Sequence, residues 1–204
     1  MIENLISFFI ASTLLALSPG PDNIYVIAQS LANGTKSGIA TTVGLVSGCI
    51  IHTTLLAFGI SAIISSSENL FNGIKIIGAL YLLYLAYKVY RSDAQLNLND
   101  KAPKKSFFQL FKQGFIMNLI NPKVLIFFLA FFPGFLWDET QNTILQFYTL
   151  GILFMMAAFI VFSSLALLAG SVSSILKENK SVGVLLKWMQ IVVFIGIAVF
   201  ILIP

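Results

Sequence analysis

Long runs of apolar residues alternate with short polar segments along the whole chain. A transmembrane α-helix needs about 20 predominantly apolar residues, and six runs reach or approach that length. The predicted spans are Leu5–Ala32, Gly38–Ile64, Gly73–Tyr90, Phe107–Phe132, Thr143–Ala169 and Gly183–Ile203. The pattern therefore predicts an all-α integral membrane protein with six transmembrane helices, in which residues 91–106 form the one long hydrophilic linker.

Composition agrees with a membrane protein. Of the 204 residues, 58% are hydrophobic and 10% are charged, whereas about 25% of the residues of a soluble domain are charged. The net charge of +4 comes from basic residues in the polar segments, so we interpret the excess as membrane topology and expect a lipid bilayer, not nucleic acid, as partner. The single cysteine, Cys49, excludes an internal disulfide and a Cys-x-x-Cys redox pair.

Two of the six spans are interrupted by proline, at Ser18–Asn23 and at Asn118–Lys123. Proline removes a backbone donor and clashes with the preceding turn, so we expect helix breaks at Pro19, Gly20 and Pro21 and at Pro122. Inside a bilayer no water can bond the freed carbonyls, so broken backbone is tolerated only within protein or along a cavity. The interruptions therefore predict the lining of a site.

The two interruptions are separated by about half the chain, and each lies in the first span of a three-span unit. Since three is odd, the second unit must run in the opposite direction. The sequence thus predicts two inverted three-helix repeats, 1–90 and 107–204, joined by the linker 91–106. Inverted repeats whose broken helices meet near the bilayer midplane are typical of secondary transporters.

The basic residues fix the predicted orientation. One side of the membrane receives ten of them, the other receives only Lys75, and Lys123 lies within the membrane. The ten are Lys36, Lys88, Arg91, Lys101, Lys104, Lys105, Lys112, Lys177, Lys180 and Lys187. Because positive loops face the cytoplasm, the linker is predicted to be cytoplasmic and both termini extracytoplasmic.

The charged residues of the two breaks are candidate site residues. An ionisable residue within a span is a functional candidate, and Asp22 is predicted either to couple proton movement and contact a substrate ammonium, or to cap the amides of Ile24 and Tyr25. Lys123 is predicted to pair with Asp22, to receive a substrate carboxylate, or to extend to the membrane interface.

Polar neighbours complete the candidate set. Asn23, Asn118 and Asn121 can both donate and accept hydrogen bonds, which suits the two charged ends of an amino acid and equally suits carbonyls freed by proline. His52, the only histidine, is predicted either to join a proton relay or to be a neutral, hydrogen-bonded core residue.

Other functional classes find little support. No paired carboxylates, metal-ligand cluster or Ser/His/Asp set is present, and the segment around Lys36 lacks the glycines of a phosphate-binding loop. We therefore expect no enzymatic activity, no cofactor and no metal site. Gly44 and Gly48 form a small-x-x-x-small pattern that favours close helix packing and permits a homodimer without requiring one.

The two interruptions also carry a family resemblance. Ser18–Asn23, followed by Gly34, Gly38, Gly44 and Gly48, resembles the N-terminal signature of the lysine exporter (LysE/RhtB) family, and Phe111–Phe115 with Asn118–Lys123 resembles its second motif. The resemblance implies export of amino acids or related zwitterions across the bacterial cytoplasmic membrane, driven by the proton gradient. The alternatives are a divalent-cation exporter, as in some relatives, and a membrane assembly subunit that transports nothing.

Overall fold

The computed structural model describes residues 1–62, 67–92, 102–138, 141–178 and 180–203, and the regular elements within them are all helical. The helices are α1 (Ile2–Leu17), α2 (Pro21–Asn33), α3 (Thr35–Leu55), α4 (Glu68–Arg91), α5 (Phe107–Leu119), α6 (Pro122–Phe131), α7 (Thr143–Leu167), α8 (Ala169–Glu178) and α9 (Lys180–Leu202). A π-helical turn, Leu56–Ile60, extends α3, and a 3₁₀ turn, Phe132–Phe135, extends α6.

Four helical segments are long and apolar enough to cross a bilayer unbroken: Thr35–Ile60, Asn69–Arg91, Thr143–Leu167 and Ser181–Leu202. Two helix pairs form bent spans, with angles of 61° between α1 and α2 and 52° between α5 and the segment that begins with α6. With each pair counted as one span, the prediction of six transmembrane segments is confirmed. Both breaks lie at the predicted prolines, since α2 begins at Pro21 and α6 at Pro122.

Two segments differ from the sequence prediction. Residues 170–182 were expected to form a loop, but Ala169–Glu178 is the helix α8, because its apolar residues Val172 and Ile175 lie one turn apart and face a space shared with α2 and α7. The third span begins at Glu68, not Gly73, because the side chain of Ser67 accepts a hydrogen bond from the amide of Leu70 at the helix start.

The most extensive helix contact joins α3 to α5. A Cβ atom added to Gly44 would overlap the backbone carbonyl of Phe111, and one added to Gly114 would overlap that of Thr41. The glycines therefore allow the two helix backbones to touch, which confirms the packing interpretation of the Gly44-x-x-x-Gly48 pattern.

Some of the contacts between the halves join corresponding spans, besides the contact of α3 with α5. The second spans of the two halves, α3 and α7, pack together, as do the third spans, α4 and α9. Such pairing is compatible with two repeats, although their inverted relationship stays a prediction. Several residues used to predict the membrane orientation lie outside the described residues. They are Lys101, in the linker segment 93–101, and the side chains of Lys177 and Lys180.

A phenylalanine cluster fills the protein beyond the second break. It consists of Phe8, Phe127, Phe128, Phe131, Phe132, Phe135, Phe154 and Phe200. Ring centroids lie 4.1 Å apart for Phe128 and Phe132 and 4.8 Å apart for Phe8 and Phe132. Most of these rings are almost completely buried, so the cluster forms a dense apolar block.

Candidate functional site

The first break leaves carbonyl groups of α1 without helical partners. Helix α1 ends at Leu17, and Pro19 and Pro21 cannot supply amide donors to continue it. Side chains satisfy these carbonyls instead. Asn23 donates from Nδ2 to the carbonyl of Ala16 at 2.8 Å, so the predicted role of an asparagine beside a proline break is observed here.

The second break supplies the other donor. The ammonium of Lys123 donates hydrogen bonds to the carbonyl of Leu15 at 3.3 Å and to that of Ser18 at 3.1 Å. It also lies 5.5 Å from the ring centroid of Phe194. Lys123 therefore points into the protein, toward the end of α1, and does not extend to the membrane interface.

Asn121 connects the two breaks through both ends of its amide. Its Oδ1 accepts from the backbone amide of Lys123 at 3.1 Å and so caps α6, where Pro122 occupies the first helical position. Its Nδ2 donates to Oδ2 of Asp22 at 2.8 Å. Each break is thus held by residues of the other.

The carboxylate of Asp22 does not serve as the helix cap that one alternative predicted. No side-chain cap is formed at the start of α2, and the amide of Ile24 donates to the backbone carbonyl of Gly20. Asp22 and Lys123 also make no direct ion pair, although they are close enough to attract each other. The carboxylate of Asp22 accepts a hydrogen bond from Asn121. The ammonium of Lys123 instead donates to the carbonyls of Leu15 and Ser18 at the end of α1.

Asn118 is fixed against α3. Its backbone carbonyl lies 3.2 Å from Nε2 of His52, and its side-chain Nδ2 lies 3.5 Å from Sγ of Cys49. Gly48 leaves the space for it, because an added Cβ would come within 2.6 Å of the Asn118 amide oxygen. His52 is 3% exposed and hydrogen-bonded, as expected for a core histidine in contact with a site residue.

All five predicted site residues line one central cavity, formed by the two breaks together with α3 and α7. Its volume is about 30 Å³, which accommodates about two water molecules and is too small for an amino acid. Asp22 and Asn23 are each 7% exposed, and Asn118 is 3% exposed. The polar centre is therefore closed to a ligand of amino-acid size in this structure.

The walls contributed by α3 and α7 were not predicted. Cys49 lines the cavity next to Asn118, and Phe154 and Phe162 contribute apolar side chains from α7. These residues lie in continuous apolar helices, where nothing in the sequence distinguishes a cavity wall from ordinary core. Among the described residues no group of three or more His, Cys, Asp or Glu side chains is arranged to hold a metal ion.

Comparison with known proteins extends these observations. Residues 13–204 match the family model of the LysE type translocator. The chain is 32% identical over 181 residues to the homoserine/homoserine lactone efflux protein of Salmonella typhimurium strain LT2. The aligned region covers 89% of this chain and 87% of that protein. The protein of the same name from Salmonella typhi has the same identity and coverage.

A further relative is described only as an uncharacterized membrane protein, from Vibrio cholerae, with 32% identity over 147 residues, 72% of this chain and 71% of that protein. The search of solved structures found none that matches this chain.

Proposed function

Because this chain belongs to the LysE type translocator family, we propose that it is a proton-coupled secondary transporter that exports amino acids of the homoserine type from the bacterial cytoplasm. The family and the named relatives support efflux of a small amino-acid-like compound. The observation that carries the proposal is the meeting of two proline-broken helices around one buried carboxylate, Asp22.

The names of the relatives favour recognition of an ammonium group. Homoserine and its lactone both carry an α-ammonium, but only homoserine has a free carboxylate. A site that accepts both must therefore recognise the ammonium, and Asp22 is the carboxylate that lines the cavity. Asn23, Asn118, Asn121 and Lys123 supply the remaining polar groups of the proposed substrate site.

Proton coupling is assigned to the same carboxylate. An acid that alternates between neutral and charged forms can exchange a proton for the substrate ammonium when the site opens to one side or the other. In this scheme the site opens alternately to the cytoplasm, where the basic loops lie, and to the outside, where both termini lie.

The test uses proteoliposomes with an imposed proton gradient, radiolabelled homoserine and homoserine lactone, and Asp22→Asn. The asparagine can still accept the hydrogen bond from Asn121, so the variant loses the charge and the titration while the contact remains. Glu3→Gln, at an exposed carboxylate in the first turn of α1, is the matched control.

We expect Asp22→Asn to abolish accumulation driven by the gradient, and Glu3→Gln to behave as wild type. Exchange of labelled for unlabelled homoserine without a gradient separates the two roles of Asp22. If Asp22 serves only proton coupling, Asp22→Asn leaves this exchange intact, and if Asp22 binds substrate, the exchange is lost. Normal accumulation by Asp22→Asn would refute the coupling role. If wild type accumulates neither compound, the divalent-cation and assembly-subunit alternatives become the next to test.

A further inference from the structure

A second, larger cavity lies beside the first break. Its volume is about 340 Å³, and it is lined by the break itself, by the end of α4 and by the start of α9. This vestibule shares Gly20 and Pro21 with the central cavity. A space large enough for a small ligand therefore adjoins the buried polar centre at the break.

One face of α9 forms the polar wall of the vestibule. Gly183, Leu186, Lys187 and Gln190 all line it, at the spacing of consecutive helical turns. Lys187 is the charged member. Its ammonium donates to the carbonyl of Ser92 at 2.7 Å and lies 5.7 Å from the ring centroid of Tyr90.

Within the part of the chain that the structure describes, the contacts of Lys187 leave donors for a ligand. An ammonium has three N–H groups, and the hydrogen bond to Ser92 uses one of them. The amide of Gln190 follows one turn later on the same wall. A carboxylate is the group that a lysine ammonium and a glutamine amide bind together.

The two sides of the central cavity differ in how they are closed. Another cavity, of about 260 Å³, lies beside the vestibule and shares Pro19, Ile24 and Leu186 with the vestibule lining. The first turn of α2 therefore has room to move on this side. On the other side the phenylalanine cluster packs from the cavity wall at Phe154 out to Phe200. Entry from the vestibule therefore displaces far less packed protein.

We propose that the vestibule is a loading site, in which Lys187 and Gln190 bind the carboxylate of the amino acid before it passes the Pro19–Pro21 break into the central cavity. The loading site rests on the proposed function, since it takes the same substrate from the cytoplasmic side. It is separate from the central site, whose five proposed substrate-binding residues do not include Lys187 or Gln190.

The experiment compares homoserine with homoserine lactone in everted membrane vesicles, whose outer face is the cytoplasmic one, so that export is measured as uptake. Lys187→Gln is expected to raise the KM for homoserine about tenfold, the effect of one charge-assisted hydrogen bond in a partly wet site, with Vmax unchanged. The KM for the lactone, which has no carboxylate, is expected to stay within about twofold. Lys187→Arg is expected to restore most of the homoserine affinity.

The matched control is Lys75→Gln. Lys75 lines a cavity of similar size, about 330 Å³, at the opposite end of α4 and α9, which shares no residue with the central cavity. It is expected to leave both KM values unchanged.

The outcomes separate the two proposals. An unchanged homoserine KM in Lys187→Gln, or an equal rise for both compounds, overturns the loading site and leaves Lys187 as a cap of α4, while wild-type uptake still supports export. If wild-type vesicles take up neither compound, the proposed function is refuted for this substrate class and the loading site is refuted with it.

Discussion

The contact between Asn121 and Asp22 gives the sharpest prediction about the site, because each end of the Asn121 amide has a different partner. Its oxygen caps α6, and its nitrogen donates to the carboxylate at 2.8 Å. Substitutions at position 121 can therefore remove one interaction and keep the other. Asn121→Ser keeps a capping oxygen and removes the donor, whereas Asn121→Asp keeps the cap and places a second carboxylate against Asp22.

The expected magnitudes follow from these contacts. Asn121→Ser loses one hydrogen bond to a charged group, which is worth about 1.5–3 kcal/mol in folded proteins and less on average between membrane helices, so we expect a loss of about 1–2 kcal/mol. Two carboxylate charges at the 2.8 Å separation of the present contact would repel by about 6 kcal/mol at an effective dielectric constant of about 20, and uptake of a proton by one of them limits the cost to about 4 kcal/mol at pH 7. Asn121→Asp is therefore expected to be much the less stable variant.

The double variant Asp22→Asn/Asn121→Asp provides the rescue. It exchanges the amide and the carboxylate, so one donor again faces one acceptor and the repulsion is removed. We expect its stability to return to within about 1 kcal/mol of wild type, a coupling far outside the additivity of independent sites. Transport is expected to remain lost, since the carboxylate then lies on α6 and not on α2.

Thermal unfolding of the purified variants in detergent, followed by circular dichroism, measures the stability order, and homoserine uptake in proteoliposomes measures function. The reasoning fails if Asn121→Asp and Asn121→Ser unfold at the same temperature, or if the double variant is no more stable than Asn121→Asp. Either result would mean that residues 22 and 121 are not in contact in the folded protein.

Two further predictions concern the stability of the folded protein, one through helix packing and one through buried hydrogen bonds. Gly114→Ala should lower the free energy of unfolding by about 1–3 kcal/mol, because the new methyl group meets the backbone of Thr41 and Leu45. Gly196→Ala has nothing near its added Cβ and should stabilise α9 by about 0.5–1 kcal/mol. Thermal unfolding temperatures that shift in the same direction for both variants would contradict this. Gln146→Leu should lower the free energy of unfolding by more than about 2 kcal/mol and expose the loop before α7 to proteolysis, since the buried Gln146 amide makes four hydrogen bonds to that loop. The control Gln109→Ala, at an exposed capping box, should lower it by about 1 kcal/mol or less. Equal protease sensitivity of the two variants would contradict the role of Gln146.

The positions of the breaks could be predicted because proline acts locally. Proline is not tolerated inside a helix, so the span is broken just before Pro21 and Pro122 and a new helix begins at each of them. The same local chemistry gave the freed carbonyls as one of two roles for the asparagines, and Asn23 fills that role within its own break.

The partners across the breaks could not be predicted in the same way. Pairing with Asp22 was one of three roles predicted for Lys123, but its ammonium bonds the carbonyls of Leu15 and Ser18, more than 100 residues away in the chain. That choice depends on the relative depth and rotation of two helices, which hydropathy does not determine. The helix α8 was not predicted, although the spacing of Val172 and Ile175 was a helical signal.

The hydrogen bonds across the breaks have a consequence for alternating access. Three of them join the two halves at the site, from Asn121 to Asp22 and from Lys123 to the carbonyls of Leu15 and Ser18. At about 0.6–1.7 kcal/mol each between membrane helices, they hold the closed conformation with about 2–5 kcal/mol. Reversing a two-state equilibrium from 1:99 to 99:1 takes about 5.5 kcal/mol of differential binding.

These two energies are of the same order, so a substrate need only replace the contacts that opening breaks. A substrate ammonium can take the place of the Lys123 ammonium at the α1 carbonyls, and it can be accepted by Asp22 once Asn121 withdraws. In the proposed cycle, the contacts from Lys123 and Asn121 keep the site closed until a substrate, or a proton on Asp22, alters them. The same cross-linking of the two breaks therefore explains both the small cavity of the closed conformation and why substrate binding would open it.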